Sequence, residues 1–136
     1  MSNDILFKRA QNYVTEETFE KFKNETKTLI YRAKSDPRAL KKIEELFGDN
    51  IRFGTAGIRG KVGPGYMQMN QVVVGKMIWA FGQYLKSQKS SKRKIVIGHD
   101  ARHFSKEFAK FSAEILAGLG FSIFLFEGVV ATPICS

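Results

Sequence analysis

Lys94-Ile95-Val96-Ile97-Gly98 and Phe121-Ser122-Ile123-Phe124-Leu125-Phe126 are the two runs that decide the fold. The first is short, β-branched and ended by glycine, which reads as a buried strand. Between them Ser105 is placed to cap a helix with Phe108, Phe111, Ile115, Leu116 and Leu119 on one side, and Gly118 and Gly120 lead into the second strand. Strand, helix and strand within about 30 residues make a βαβ unit, a right-handed crossover between parallel strands, so the fold class is α/β. Ligands of such sheets lie at the carboxyl ends of the strands. His99-Asp100-Ala101-Arg102-His103 follows one end and Ala131-Thr132-Pro133 the other. Asp100 and Arg102 are expected to order their strand-end loop by hydrogen bonds to backbone or to each other.

Further upstream, Asn70 can cap a helix whose apolar face is Val73, Val74, Met77, Ile78, Phe81, Tyr84 and Leu85. A polar linker follows, made basic by Lys86, Lys89, Lys92, Arg93 and Lys94. Residues 1–50 read as a helical arm. Thr15 is placed to cap its first helix, with Glu16 and Glu17 in the first turn and a stripe of Phe19, Phe22, Thr26, Leu29, Ile30 and Ala33. Asp36-Pro37 starts a second helix with Leu40, Ile43, Leu46 and Phe47 inward, and Gly48 suits its stop. Residues 51–136 form the α/β part.

Ile51 to Phe53 is an extended entry into Gly54-Thr55-Ala56-Gly57-Ile58-Arg59-Gly60, which spaces three glycines around one arginine. Glycine backbone approaches an anion closely, and arginine offers a forked set of donors to phosphate. The segment therefore reads as a phosphate loop, with Arg59 on the phosphate and Gly54, Thr55, Gly57 and Gly60 as scaffold. It is neither a Walker motif nor a dinucleotide fingerprint, because neither glycine order is present. Charge agrees with the reading. The chain carries a formal net charge of +9, and twelve Lys/Arg against four Asp/Glu fall in residues 51–136. Such a field concentrates phosphorylated ligands.

Other chemistries find less support. His99 and His103 are four apart but follow a strand directly, so loop-ordering hydrogen bonds outweigh a metal site. No Asp-x-Asp cluster offers magnesium ligands in residues 51–136, and no serine has an activating His and acid nearby. The basic linker has no interleaved aromatics, so a solvated turn outweighs a nucleic-acid patch and nucleic acid is not the expected partner. The single Cys135, the absence of an apolar run near the roughly 20 residues of a membrane span, and the polar N-terminus read as a cytoplasmic protein without a membrane partner.

Arg52-Phe53-Gly54-Thr55-Ala56-Gly57-Ile58-Arg59-Gly60, then Gly63-Pro64-Gly65 and Met69-Asn70, resembles the opening signature of the α-D-phosphohexomutases. The nearest branch is the phosphoglucomutase/phosphomannomutase group that includes phosphopentomutases. Gly98-His99-Asp100-Ala101-Arg102 resembles the next strand-end motif of that family and Ala131-Thr132-Pro133 its Thr-Pro motif, in the same order over about residues 40–136. The resemblance implies an incomplete three-layer α/β/α domain I behind the helical arm. It implies an isomerase moving phosphate between the 1 and 6 positions of a hexose through a phosphoserine, with Mg2+ held by an aspartate-rich loop and hexose bisphosphate as activator. It gives Arg59 a phosphate-binding role and assigns no catalytic residue or metal ligand here. The family's Thr-Ala-Ser-His-Asn-Pro loop and Asp-Gly-Asp-Gly-Asp-Arg metal loop are not in the sequence, and Ser136 lacks the nucleophile's context.

The expected function is therefore the N-terminal segment of a phosphohexomutase, binding phosphosugar but inactive alone. A non-enzymatic phosphosugar-binding or partner-completed module is the alternative, and a basic nucleic-acid-binding domain the third. A partial sheet leaves unpaired edges and apolar faces, so self-association or completion by downstream domains is expected. Sedimentation velocity of the chain checks this, a monodisperse monomer being the contrary result.

Overall fold

A computed structural model describes residues 1–55, 57–88 and 93–135. The chain forms two compact units, Met1–Val73 and Val74–Ser136. No helix among the described residues is long and apolar enough to cross a membrane.

The first unit packs α1 (Asn3–Glu16), α2 (Glu20–Arg32) and α3 (Pro37–Phe47) against one another. The arm thus has three helices, not the two expected. Leu6, Ala10 and Tyr13 are the buried stripe of α1, a four-then-three spacing diluted by many polar neighbours. Thr15 caps nothing. It lies in the last turn of α1, its hydroxyl donating to the Asn12 carbonyl at 2.7 Å. The start of α2 is fixed instead by Glu17, only 1% exposed, whose Oε1 accepts the N–H groups of Thr18 and Phe19 at 2.9 Å each. Its Oε2 accepts the Tyr13 hydroxyl at 2.5 Å. Burial, reinforced by that carboxylate, pushes the Tyr13 phenol well above its ordinary pKa. At α3 the expectation holds: the Asp36 side chain accepts from Arg38 N–H at 2.9 Å, with Pro37 in the first turn. Gly48 ends α3 in the right-handed region (φ −67°) rather than in a left-handed stop.

Three rings form the centre of this unit. Tyr13, Phe47 and Tyr66 meet edge-on at centroid distances of 5.5, 5.7 and 5.9 Å. Arg9 covers the outside, its guanidinium 5.0 Å from the Tyr66 ring centroid while its Nε donates to the Phe47 carbonyl at 2.5 Å.

Tyr66 belongs to a turn that Asn70 closes. The fully buried Asn70 amide donates to the carbonyls of Gly63 (2.9 Å) and Gly65 (2.7 Å), with Gln68 at 3.3 Å. Its Oδ1 accepts Val73 N–H at 3.0 Å, the expected cap of α4 (Gln71–Ser87). Gly65 has φ +103°, and an added Cβ would lie 2.6 Å from the Leu46 carbonyl oxygen. Only glycine takes that conformation against that backbone.

In the second unit β3 (Lys94–Ile97) and β4 (Ser122–Leu125) pair in parallel, Lys94 with Ser122 through Ile97 with Leu125. The connection is α5 (Ser105–Gly118), which packs on β4, giving the βαβ unit expected. Helix α4 meets α5 at Gly75 and Gly82, where a side chain would run into Phe111 or Leu119. A four-residue helix, α6 (Thr132–Cys135), follows β4.

Three expectations fail here. The strand at 94–97 is not buried: Val96 is 50% exposed, because among the described residues β3 has only β4 beside it. Phe81 and Tyr84, placed on the inner face of α4, are 48% and 61% exposed, so burial concentrates at the start of the helix, in Val72, Val73 and Val74. Ser105 does not cap α5. The residue before the helix is Phe104, in the left-handed region (φ 65°) with no side-chain cap.

Asn70→Ala removes a cap and leaves two buried carbonyls without their donor, so it is expected to cost about 2 kcal/mol in urea unfolding. Asn70→Asp keeps the acceptor for Val73 but cannot donate. Wild-type stability in Asn70→Asp would show that the amide donors do not hold the turn.

Candidate functional site

The glycine segment, which reads from sequence as a phosphate loop, folds as a hairpin. β1 (Phe53–Gly54) pairs antiparallel with β2 (Gly57–Ile58), with Phe53 opposite Ile58 and Gly54 opposite Gly57. Gly57, the first residue of β2, has φ +98°, a conformation that glycine takes without strain. Thr55 is exposed at the turn, and Ala56 lies outside the described residues. Arg59 and Gly60 follow β2 and are both exposed. Among the described residues no carboxylate or carbonyl engages the Arg59 guanidinium.

The hairpin base is clamped from both sides. Ile51 N–H donates to the Tyr66 carbonyl at 2.8 Å, and Met69 N–H to the Lys61 carbonyl at 2.8 Å. Gly63 N–H adds a bond to the Met69 carbonyl at 3.1 Å. The hairpin therefore rests on the turn that Asn70 closes and on the ring cluster beneath it. Sequence reading missed that support. Its signal was the tyrosine directly after Gly63-Pro64-Gly65, an aromatic in a turn otherwise free of bulk.

At the carboxyl end of β3, Asp100 and Arg102 are joined as expected. Arg102 Nε and a terminal guanidinium nitrogen lie 2.7 and 2.6 Å from Asp100 Oδ2, and Arg102 N–H donates to Oδ1 at 3.0 Å. Asp100 N–H in turn donates to Ser105 Oγ at 3.1 Å, which is where that hydroxyl is engaged instead of capping α5. His99 is 8% exposed, with Nδ1 3.2 Å from the Asp100 carbonyl oxygen. Its Nε2 has no hydrogen-bond partner among the described residues. The segment after β4 is tied to this loop through Val130 N–H, which donates to the His99 carbonyl at 3.0 Å.

The hairpin residues Gly54, Thr55, Gly57, Arg59 and Gly60 thus lie together in the first unit, and Asp100 and Arg102 together in the second. Among the described residues no three His, Cys, Asp or Glu side chains group so as to hold a metal ion. Of the basic linker, Lys86, Arg93 and Lys94 are exposed, and Lys89 and Lys92 lie outside the described residues.

Comparison with known proteins gives a consistent picture. The sequence profile described as phosphoglucomutase/phosphomannomutase, alpha/beta/alpha domain I, matches residues 50–136. A probable phosphoribomutase of Schizosaccharomyces pombe is 35% identical over 94 residues, covering 68% of this chain and 16% of that protein. A phosphoglucomutase of Staphylococcus epidermidis is 40% identical over 90 residues, 66% of this chain and 16% of its own length. One of Staphylococcus aureus is 39% identical over 89 residues, again 16% of its length. The chain therefore spans about a sixth of the curated relatives it matches. No solved structure matches it.

The Arg102 guanidinium, followed by the Arg102 N–H, holds the Asp100 carboxyl down at about 2 against an ordinary 3.8. A depressed pKa means the ion pair contributes fully above the ordinary value and is lost as pH falls through about 2. Arg102→Met is expected to return the Asp100 midpoint toward 3.8, read by NMR titration of its carboxyl carbon.

Proposed function

Because the chain belongs to the phosphoglucomutase/phosphomannomutase family through its alpha/beta/alpha domain I, we propose that it supplies a phosphate-binding arm of a phosphosugar mutase. The observation that carries this reading is Arg59: an exposed guanidinium with no partner among the described residues, at the foot of a hairpin clamped to a packed core. A free guanidinium surrenders no existing ion pair when it takes phosphate, and a clamped backbone lowers the ordering cost of binding. Gly54, Thr55, Gly57 and Gly60 are the low-bulk frame past which a sugar phosphate approaches. Asp100 and Arg102 set the shape of the β3 end, where ligands of α/β sheets lie.

The reaction proposed for the whole protein is transfer of phosphate between positions of a phosphosugar, the 1 and 6 positions for a hexose, by way of a phosphoserine in the cytoplasm. Hexose bisphosphate is the proposed activator. Magnesium would offset phosphate charge during transfer, but the described residues form no site that fits it. Within that reaction this chain binds and orients phosphate, without turnover alone.

The test is mutase turnover of glucose 1-phosphate and mannose 1-phosphate, with magnesium and hexose bisphosphate present. The chain is run beside a form extended by its native downstream coding sequence. Turnover is expected only in the extended form, and Arg59→Ala there is expected to lower kcat/KM on the order of ten- to a hundredfold. Turnover by the 136 residues alone would overturn the binding-arm reading.

A further inference from the structure

The register of the hairpin brings a second arginine to Arg59. Phe53 is opposite Ile58. Two steps further out, a Cβ on Gly60 would lie 2.6 Å from Ile51 Cδ1, so Ile51 and Gly60 also face each other. The one position between these two pairings sets Arg52 against Arg59. Opposed residues of an antiparallel pair have their Cβ atoms about 5 Å apart on one face, and two like charges there repel unless an anion lies between them. Neither cation is buried. The Arg52 side chain is 85% exposed and is held by Asp49 alone among the described carboxylates, at 2.7 Å.

We propose that Arg52 is a second phosphate-binding residue, sharing one phosphate group with Arg59 across the foot of the hairpin and leaving Asp49 to do so. This rests on the phosphate reading of Arg59 and extends it to the charge and geometry of the ligand. Two forked cations on one face fit a terminal, doubly charged phosphate monoester better than a singly charged diester. In the absence of ligand Asp49 offsets the repulsion between the two guanidinia. It acts as a latch, not a competitor of comparable strength, since an exposed ion pair between side chains is weak. Asp49 is kept in place by its neighbours: Arg9 donates to its carbonyl at 3.1 Å and to Asn50 Oδ1 at 2.9 Å. The carboxylate therefore stays near the site when Arg52 turns away.

Asp49 also gives a readout that a purely structural Arg52 would not move. Its carboxyl is held below the ordinary carboxylate range first by the Arg52 guanidinium and then by the Asn50 N–H, with Arg9 adding a smaller attraction. When phosphate recruits Arg52, the Asp49 titration midpoint moves upward.

The experiment titrates inorganic phosphate and glucose 1-phosphate into the 136-residue chain, followed by NMR, in wild type and in Arg52→Ala, Arg52→Lys, Asp49→Asn and Arg59→Ala. Arg52→Ala is expected to weaken binding about tenfold and Arg52→Lys to recover only part, since lysine lacks the fork. Asp49→Asn is expected to tighten binding a fewfold, and saturating phosphate to raise the Asp49 midpoint more in wild type than in Arg52→Ala, where only the charge of the bound phosphate acts. Unchanged affinity in Arg52→Ala beside a loss in Arg59→Ala would overturn the shared site while leaving the Arg59 reading standing. Loss in neither variant, or no binding by wild type, would overturn both. A phosphate-independent Asp49 midpoint would also overturn the latch.

Discussion

Asn70 has two amide hydrogens and one carbonyl oxygen, and the fold of the first unit depends on where they go. Both hydrogens point into the turn that precedes it, toward Gly63 and Gly65, while the oxygen takes the free N–H of Val73 in the helix that follows. One side chain therefore closes a loop and opens a helix. It is fully buried, so water cannot substitute for any of these bonds. The turn it holds presents Tyr66 to Tyr13 and Phe47, and presents the Tyr66 carbonyl to Ile51 at the foot of the hairpin. The same residue starts helix α4.

The division of labour within this unit follows from solvation. Groups that must be dry are paired: Glu17 has three donors and Tyr13 an acceptor. The cations at the hairpin foot stay in water, where a guanidinium costs little to keep and can exchange one partner for another. Arg9 stands between these regimes, its charge over the Tyr66 ring and its donors on the chain just beyond α3. An exposed charged site on a tightly satisfied base combines a fixed position with a ligand that can enter.

Much of this was legible in the sequence where the local signal was strong. Asp36-Pro37, the Asn70 cap, the parallel pair joined by α5 and the Asp100–Arg102 link all appear where residue type and spacing put them. The failures share a cause. Thr15 has the chemistry of a cap, but a buried carboxylate two residues on does that work, which only tertiary burial decides. Ser105 likewise has a competing donor in Asp100 N–H. Phe81 and Tyr84 are placed inward by periodicity and Val96 by the β-branched content of its strand, and neither signal supplies something to cover the face it names. The hairpin was hidden because two paired residues per strand are too short for any alternation to show. Its register, and with it the meeting of Arg52 and Arg59, is invisible without coordinates.

The ring cluster has a consequence for where this protein can be cut. The family profile begins at residue 50, and a boundary drawn there would look natural to anyone reading that profile alone. Yet Tyr66, inside the matched region, packs against Tyr13 and Phe47, both outside it. Arg9, further out still, reaches over the same ring. The evolutionary module and the mechanical module are therefore different objects. The helices carry no recognisable chemistry of their own, but they are the foundation on which the matched segment keeps its shape.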